Sequence, residues 1–296
     1  MKKNYEKYDF SKTNEIIYFE KGKVIKFHSN KEELKKKYRK FLINRSVFPN
    51  VKINDDFLFY NFVTGQNFYD VVSPILFRKF ITWCDKKLWK RFEKTSFKKE
   101  CKEFYFDKTI FRLNLFMKKN NYKSDNFKFI NNIDIDKINS LLKKVNFNEL
   151  YNGVPSYIHG DLQFDNVIVT NKKNFKLIDW RSDFSGLLSK GDLCYDLAKL
   201  LGGILVNYKK IKQKKFYYKN TKGKIKFKVP FVKNKKLLID EIKNYCSNNM
   251  INFSKIELLT ALIFLNMSPM HKHPFDKILF CYSKMLINKK INENQN

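Results

Sequence analysis

Glycine, proline and cysteine are scarce in this chain of 296 residues, which has nine, six and five of them. So little glycine excludes a collagen-like or glycine-rich low-complexity protein. No glycine precedes Gly22, so the N-terminal region lacks a phosphate-binding loop of the Gly-x-Gly-x-x-Gly type. The cysteines are scattered without a Cys-x-x-Cys pair, which argues against a zinc site or a disulfide framework and favours a reducing, cytoplasmic location.

Long apolar runs are missing as well. The longest apolar stretches, 200–206 and 258–267, are too short to span a bilayer. The charged N-terminus lacks the apolar segment of a signal peptide. We therefore expect no transmembrane segment and no secretory leader.

Acidic residues are few: 29 Asp and Glu stand against 60 Lys and Arg, for a formal net charge of +31. Such a charge is typical of nucleic-acid or anionic-surface binding. It also follows from a bias towards the Lys, Asn, Ile and Phe of AT-rich codons, and we favour that interpretation. No nucleic-acid-binding motif accompanies the charge, so we expect no specific nucleic-acid partner. The 43% of hydrophobic residues indicates a globular protein.

Two carboxylates and one amide are spaced in a way that suits phosphoryl transfer. Asp161 and Asn166 share one loop, and Asp179 ends the next apolar run. The flanking segments 167–169 and 175–178 predict a hairpin that would bring Asn166 and Asp179 to the same end. Phosphoryl transfer needs a carboxylate to orient and deprotonate a hydroxyl, and Asn and Asp side chains to hold Mg²⁺ on the nucleotide phosphates.

These residues resemble the aminoglycoside phosphotransferase and choline kinase-like family of small-molecule kinases. The matching segments are His159-Gly160-Asp161 with Asn166, Ile178-Asp179-Trp180, Gly191-Asp192 and Tyr195-Asp196-Leu197-Ala198. The strong resemblance covers about 157–206. It implies a two-lobed α+β protein kinase-like fold, with a small antiparallel-sheet N-lobe and a mainly helical C-lobe.

The resemblance also implies roles for individual residues, with ATP and Mg²⁺ as cofactors. Asp161 would be the catalytic base, and Asn166 and Asp179 would be the Mg²⁺ ligands. His159 would brace the catalytic loop by hydrogen bonds rather than act as a base. Asp196, near the start of a helix, would support the same loop.

The phosphate-binding lysine predicted by analogy with kinases is Lys26, which lies between apolar neighbours on the second arm of a predicted hairpin. Such a lysine usually pairs with a helix glutamate. Glu32 and Glu33 are the candidates, but both fall early in the following helix, and the position deeper in that helix is Lys37. The identity of the acidic partner is therefore left open.

The adenine would bind backbone groups of Asn61, Phe62 and Val63, and the loop 11–14 would cover the phosphates. Asp165, beside the predicted metal ligand, is interpreted as a solvated loop residue. We place a hinge at 64–66, which divides the chain into an N-lobe over 1–63 and a C-lobe over 64–296.

Periodicity and capping signals predict the remaining elements. Hairpins are expected over 14–28, with Gly22 at the turn, and over 214–229, where the strand 224–229 alternates strictly; a further strand is expected over 56–63. Ser29 is the expected cap of the first helix. Helices are predicted over 29–44, 75–92, 108–119, 136–144, 193–206, 237–248, 254–267 and 274–288.

The acceptor is the least constrained part of the prediction. Thirteen lysines and no acid lie within 209–236, followed later by His271 and His273. A basic pocket disfavours polycationic aminoglycosides and favours a neutral or anionic acceptor, such as a sugar, a sugar phosphate or a surface-glycan precursor. A lysine-rich solvated hairpin explains the segment equally well. The alternatives are an amino-alcohol kinase of the choline or ethanolamine type, a nucleotide-binding pseudokinase scaffold, and an anionic-polymer binder; oligomeric state is left open.

Overall fold

A computed structural model describes residues 15–93, 96–121, 123–171 and 174–293. The predicted covering loop 11–14 lies outside these residues. The strands are β1 (Glu15–Glu20), β2 (Lys23–His28), β3 (Val51–Asn54), β4 (Phe57–Asn61), β5 (Gly65–Asn67), β6 (Phe129–Ile130), β7 (Ile133–Asp134), β8 (Pro155–Ser156), β9 (Val167–Thr170), β10 (Phe175–Leu177), β11 (Gly191–Asp192), β12 (Tyr217–Thr221) and β13 (Lys224–Lys228). The helices are α1 (Lys31–Ile43), α2 (Phe68–Val71), α3 (Pro74–Trp83), α4 (Lys98–Lys102), α5 (Lys108–Lys119), α6 (Ile138–Lys143), α7 (Phe147–Tyr151), α8 (Leu193–Leu205), α9 (Tyr208–Lys212), α10 (Lys235–Asn248), α11 (Phe253–Met267) and α12 (Phe275–Glu293).

The N-terminal sheet is antiparallel with strand order β1-β2-β4-β3. The predicted first hairpin is present, and Gly22 supplies the turn with a φ of +75°. Lys26 alternates with Ile25 along β2, so it lies on the buried face with Val24. Strand β3 was not predicted.

The N-cap of helix α1 lies one residue later than predicted. The side chain of Asn30, not Ser29, accepts hydrogen bonds from the backbone N–H groups of Glu32 and Glu33. Asparagine is as good an N-cap as serine, so the sequence signal did not separate the two.

The predicted hinge at 64–66 overlaps a short strand, because Gly65–Asn67 forms β5, and its role as a hinge stays a prediction. Strand β5 pairs antiparallel with β9, which itself pairs with β10, in a three-stranded sheet. A Cβ on Gly65 would lie 2.4 Å from the carbonyl oxygen of Val169. Only glycine allows this approach, so the chain is joined to the β9–β10 hairpin within a few residues of leaving the N-terminal sheet.

The C-terminal part is built around α8, whose residues are all buried. It packs against α10 and α11, while α11 also packs against α12 and α5. The predicted helix 108–119 coincides with α5, and the later predicted helices match α8, α10, α11 and α12 to within a few residues at most ends. The predicted helix 75–92 ends early, since a π-helical turn follows Trp83.

A fourth sheet has strand order β12-β13-β6-β7. The predicted alternation of β13 is confirmed, with Lys224, Lys226 and Lys228 exposed and Ile225 and Phe227 buried. Phe227 packs against Tyr282 of α12, with ring centroids 5.7 Å apart. Strand β6, in the segment between α5 and α6, pairs in parallel with β13.

Together these elements confirm the predicted α+β class, with an antiparallel-sheet N-terminal region and a helical C-terminal part. All five cysteines are buried and unpaired. Among the described residues, no helix is both long and apolar enough to cross a membrane. The division at residues 63 and 64 stays a prediction.

Candidate active site

Asp196 of α8 accepts hydrogen bonds from the backbone of the loop that carries His159, Gly160 and Asp161. One carboxylate oxygen of Asp196 accepts hydrogen bonds from the backbone N–H of His159 at 2.8 Å and from Trp89 Nε1 at 3.1 Å. The other accepts from the N–H of Gly160 at 2.8 Å. Burial raises the pKa of Asp196, while these donors and Lys40 lower it. The carboxylate fixes the backbone of the loop.

His159 is buried and contacts the same loop. Its Nε2 lies 3.0 Å from the carbonyl oxygen of Ile178, which can only accept, so Nε2 carries the hydrogen. Its Nδ1 accepts from the N–H of Asp161 at 3.2 Å. Burial lowers the pKa of His159 to about 4. The ring is therefore neutral near pH 7 and connects the Asp161 loop to the backbone beside Asp179.

Asp161 forms an ion pair with Lys199, whose Nζ lies 2.8 Å from Oδ1. Burial alone would raise the pKa of Asp161, but Lys199, Arg181 and His159 lower it, and the net shift is downward. Lys199 is itself only 8% exposed. Asp161 is thus held as a carboxylate.

Asn166 ends a single 3-10 turn, Phe164–Asn166, that leads into β9. Its Nδ2 donates to the backbone carbonyl of Asp161 at 2.8 Å and lies 3.3 Å from Asp161 Oδ2. This bond fixes the orientation of the amide, so Oδ1 points away from Asp161. The carbonyl of Asn166 accepts from the N–H of Ile178 at 3.0 Å, which brings the loop beside Asp179 as the hairpin prediction required.

Asp179 lies two residues past β10, in the left-handed region with a φ of +62°. A non-glycine residue in that region carries strain that is typical of functional sites. Its Oδ1 is 2.6 Å from the Nζ of Lys26. Burial lowers the pKa of Lys26, but Asp179, Tyr60 and Glu15 raise it by more than burial lowers it. The net pKa is therefore above the ordinary value, and the amine is protonated.

The acid beside Lys26 on the N-terminal sheet is Glu15 of β1. Neither Glu32 nor Glu33 pairs with Lys26; Glu32 pairs with Lys35 at 3.0 Å and Glu33 with Lys36 at 3.7 Å, because both lie in the exposed first turn of α1. Glu15 is buried and lies 3.2 Å from the Nζ of Lys37.

Glu15, Lys26, Lys37 and Asp179 line one cavity of about 10 Å³, room for about one water. Two cations and two acids alternate around it. The helix thus carries the positive charge, Lys37, and β1 carries the negative charge, Glu15. In the expected arrangement the helix would carry the glutamate instead.

The predicted adenine segment is more exposed. Asn61 and Phe62 are exposed, and Val63 is half-buried. The backbone N–H of Phe62 donates to the carbonyl of Gly22 at 2.7 Å. This amide is therefore engaged with the β1–β2 turn, and the role of the segment in binding a base stays a prediction.

Two further aspartates of the motif region are bound within the protein. Asp192 caps α8 through the N–H of Cys194 at 3.0 Å and pairs with Lys255 at 3.0 Å, fully buried. Asp165 was expected to be solvated, but it pairs with Lys212 of α9 at 3.0 Å, and its side chain is only 17% exposed. The basic segment 209–236 therefore contacts the loop that precedes β9 through Lys212.

A magnesium ion on nucleotide phosphates fits these residues. Mg²⁺ prefers oxygen ligands and is commonly held by one or two protein groups, with phosphates and waters completing its shell. Asn166 offers an amide oxygen turned away from Asp161, and Asp179 offers a carboxylate on the neighbouring backbone segment. Among the described residues, no group of three or more His, Cys, Asp or Glu side chains could hold a metal alone.

Several residues of the site were not anticipated. Lys199 is the only charged residue between Asp196 and Val206, three positions after Asp196 and hence on the same helical face; that lone charge in an apolar helix was a usable signal. Glu15 and Arg181 carried no distinguishing pattern in so charged a chain. Their positions depend on strand pairing and loop geometry.

Comparison with known proteins identifies similar folds. Neither a protein-family model nor a curated protein sequence matches the chain. Similar solved structures include a choline/ethanolamine kinase family protein from Mesorhizobium loti, with 11% identity, a TM-score of 0.49, and coverage of 95% of this chain and 90% of that one. A choline kinase from Cryptosporidium parvum has 12% identity, a TM-score of 0.41, and coverage of 92% and 80%.

A Plasmodium vivax ethanolamine kinase has 14% identity, a TM-score of 0.48, and coverage of 94% and 82%. All three of these solved structures are described as choline or ethanolamine kinases or as members of that family. At these identities the similarity does not extend to the substrate, which depends on the side chains of the site.

Proposed function

We propose that the chain is an ATP- and Mg²⁺-dependent phosphotransferase that phosphorylates a hydroxyl of a small molecule. The observation that carries the proposal is the convergence of four side chains at one place. Asn166 donates to the backbone of Asp161, and Asp179, beside Asn166 in the hairpin, contacts Lys26 of the N-terminal sheet. A base, two metal ligands and a phosphate-binding lysine are what phosphoryl transfer requires.

The chemical step assigned to this site is an in-line displacement. The acceptor oxygen forms a bond to the γ-phosphorus, the bond from that phosphorus to the β–γ bridging oxygen breaks, and ADP leaves. The hydroxyl proton passes to Asp161 and then to solvent. Because Lys199 and Arg181 lower the pKa of Asp161, the carboxylate is a weak base, and we infer that it mainly orients the hydroxyl and accepts its proton late.

Asn166 and Asp179 would hold Mg²⁺, which when bound neutralises charge on the β- and γ-phosphates. Lys26 would steady the α- and β-phosphates. In the present structure Lys26 contacts Asp179 directly, and the adjoining cavity holds about one water. Nucleotide binding therefore requires the two side chains to separate so that phosphates and metal enter between them.

The decisive experiment is titration of the purified protein with ATP in the presence and absence of Mg²⁺, followed by an ADP-release assay. The acceptor panel contains sugars, sugar phosphates, amino alcohols and glycan precursors. We expect Mg²⁺-dependent nucleotide binding and ADP release that requires one acceptor class. Absence of any nucleotide binding would refute the kinase assignment.

A nucleotide-binding scaffold without turnover is the second candidate. It is favoured by the replacement of the expected helix glutamate by Lys37 and by the closed contact between Lys26 and Asp179. Tight Mg²⁺-ATP binding with no ADP release across the whole panel would support the scaffold over the enzyme.

A further inference from the structure

Four cationic side chains lie close to one another beside Asp161 and its loop. Lys199 contacts Asp161 at 2.8 Å, and Arg181 Nε lies 3.3 Å from the carbonyl oxygen of Gly160. Lys108 and Arg112 come from α5, one helical turn apart. We name these four residues, Lys108, Arg112, Arg181 and Lys199, the cation cluster.

Aromatic rings position two members of the cation cluster. The ammonium of Lys108 lies 3.7 Å from the centre of the Phe104 ring, and the guanidinium of Arg181 lies 5.2 Å from the same centre. Phe104 stacks on the buried Phe184, with centroids 4.2 Å apart. A cation–π contact holds a side chain in place but leaves its charge unneutralised.

The acids that would balance these charges are too few. Asp161 faces the cluster and pairs with Lys199. Among the residues that the structure describes, no carboxylate lies within 4 Å of a charged nitrogen of Lys108, Arg112 or Arg181. Asp183 is near enough to Arg181 for that charge to lower its pKa, but it forms its ion pair with Lys36 at 3.0 Å. Arg112 instead contacts the sulfur of Met270.

The charges influence one another strongly. Burial is the largest cause that lowers the pKa of Lys108, followed by the positive charges of Arg181, Lys199 and Arg112. Burial and Arg181 likewise lower the pKa of Arg112. Like charges brought together without counter-ions repel, so an anion entering between them would be attracted by the charged members of the cluster and would favour the protonated form of Lys108.

We propose that the cation cluster is an anion subsite beside Asp161, and that the acceptor is a small hydroxyl compound bearing a phosphate monoester. The inference rests on the proposed function and specifies its substrate class. A dianionic phosphate matches several cations better than a carboxylate, and arginine pairs with phosphate through two parallel hydrogen bonds. The same cations repel a quaternary or primary ammonium, which disfavours choline-type acceptors.

The test separates binding from catalysis by titrating the nucleotide-free protein with glycerol 3-phosphate, glycerol, glycerate and choline. We expect glycerol 3-phosphate to bind most tightly, with an affinity that falls as salt rises. Lys108→Gln and Arg112→Gln should each weaken it roughly tenfold. The matched controls Lys226→Gln and Arg39→Gln, at exposed positions, should leave it unchanged.

Glycerol 3-phosphate could bind at the proposed nucleotide site instead of the cation cluster. The variant Lys26→Gln tests this alternative location. Loss of glycerol 3-phosphate binding in Lys26→Gln but not in Lys108→Gln or Arg112→Gln would overturn the subsite. Tighter binding of glycerate or choline than of glycerol 3-phosphate would overturn the assigned acceptor class. Arg112→Lys, which keeps the charge, should recover much of the lost affinity.

Failure of this inference and failure of the proposed function give different results. If Mg²⁺-ATP does not bind but glycerol 3-phosphate still binds through Lys108 and Arg112, the subsite stands and the kinase assignment falls. If Mg²⁺-ATP is consumed with choline as acceptor and the protein binds no glycerol 3-phosphate, the kinase assignment stands and the subsite falls.

Discussion

Lys26 of the N-terminal sheet and Asp179, just past the β9–β10 hairpin, form an ion pair with a distance of 2.6 Å. Lys26 comes from the middle of β2, and Asp179 lies two residues past β10, so the pair closes the space where phosphates would bind. Charged groups that meet in a buried cleft are typical of functional sites.

Asp179→Asn should weaken Mg²⁺-ATP binding at least tenfold and stop turnover, because a neutral amide is a poorer ligand for a hard cation. Isothermal titration with and without Mg²⁺ measures the effect. The Mg²⁺-dependent part of the affinity should disappear while binding of metal-free ATP through Lys26 persists. An unchanged Mg²⁺ dependence would show that Asp179 is not a metal ligand.

Asp161→Asn should reduce turnover by a factor of a hundred or more while leaving Mg²⁺-ATP affinity nearly intact, since the side chain acts on the acceptor hydroxyl. The matched control is Asp165→Asn, four residues along the same loop, where the lost partner is Lys212. Steady-state kinetics with a saturating acceptor compares the two. Near-normal turnover in Asp161→Asn contradicts the assigned role.

Glu15→Gln should destabilise the protein by about 3 kcal/mol, because it leaves the ammonium of Lys37 in a largely buried place without its acid. The double variant Glu15→Gln/Lys37→Gln should recover most of that loss, since no unpaired charge remains. Urea denaturation measures both. Glu32→Gln, which breaks the exposed pair with Lys35, is the control and should leave the midpoint of urea denaturation almost unchanged.

Stability should fall as the pH drops from about 6.5 to about 4, in part because of His159. Burial lowers its pKa from 6.5 to about 4, so within that window the unfolded chain binds a proton that the folded chain does not. The contribution is complete above pH 6.5 and is lost as the pH falls through this range. His159→Gln cannot titrate and should show a shallower decline in the free energy of unfolding; equal slopes would count against a buried neutral ring.

Gly65→Ala should destabilise the protein by about 1–3 kcal/mol, because the new Cβ would lie 2.4 Å from the carbonyl oxygen of Val169. The comparison is Gly202→Ala in α8, where the nearest atom outside the helix backbone is 3.4 Å away and alanine is the better helix former. Thermal melting of the two variants distinguishes them. Equal melting temperatures would show that β5 can move from β9 without cost.

The elements that local sequence signals determine were predicted well. Strict alternation placed β13, helical periodicity placed α5 and α8, and the turn glycine placed the first hairpin. The convergence of Asn166 and Asp179 could also be predicted, because the two flank one short hairpin. In each case the residues that decide the structure lie within about twenty positions of one another.

The missed features depend on contacts between distant parts of the chain. Glu15 contacts Lys37 because β1 pairs with β2 at the edge of the N-terminal sheet. From the sequence, Lys37 showed only that the expected glutamate was missing from the helix, and it did not show which acid would be its partner. Gly65 was interpreted as part of a hinge, because no nearby residue indicates that β9, about a hundred residues later, pairs with it. The cation cluster joins α5, α8 and the segment after β10, three elements without a shared local pattern.

Strand β5 makes the segment that connects the N-terminal sheet to the C-terminal part a hydrogen-bonded strand rather than a flexible linker. The first residues beyond the N-terminal sheet are hydrogen-bonded to β9, the strand that starts at the residue after Asn166. A tilt of the N-terminal sheet that separates Lys26 from Asp179 would therefore pull on the strand next to Asn166. If Asn166 and Asp179 hold a metal as proposed, opening for a nucleotide and alignment of these two ligands would be mechanically coupled through the backbone hydrogen bonds between β5 and β9.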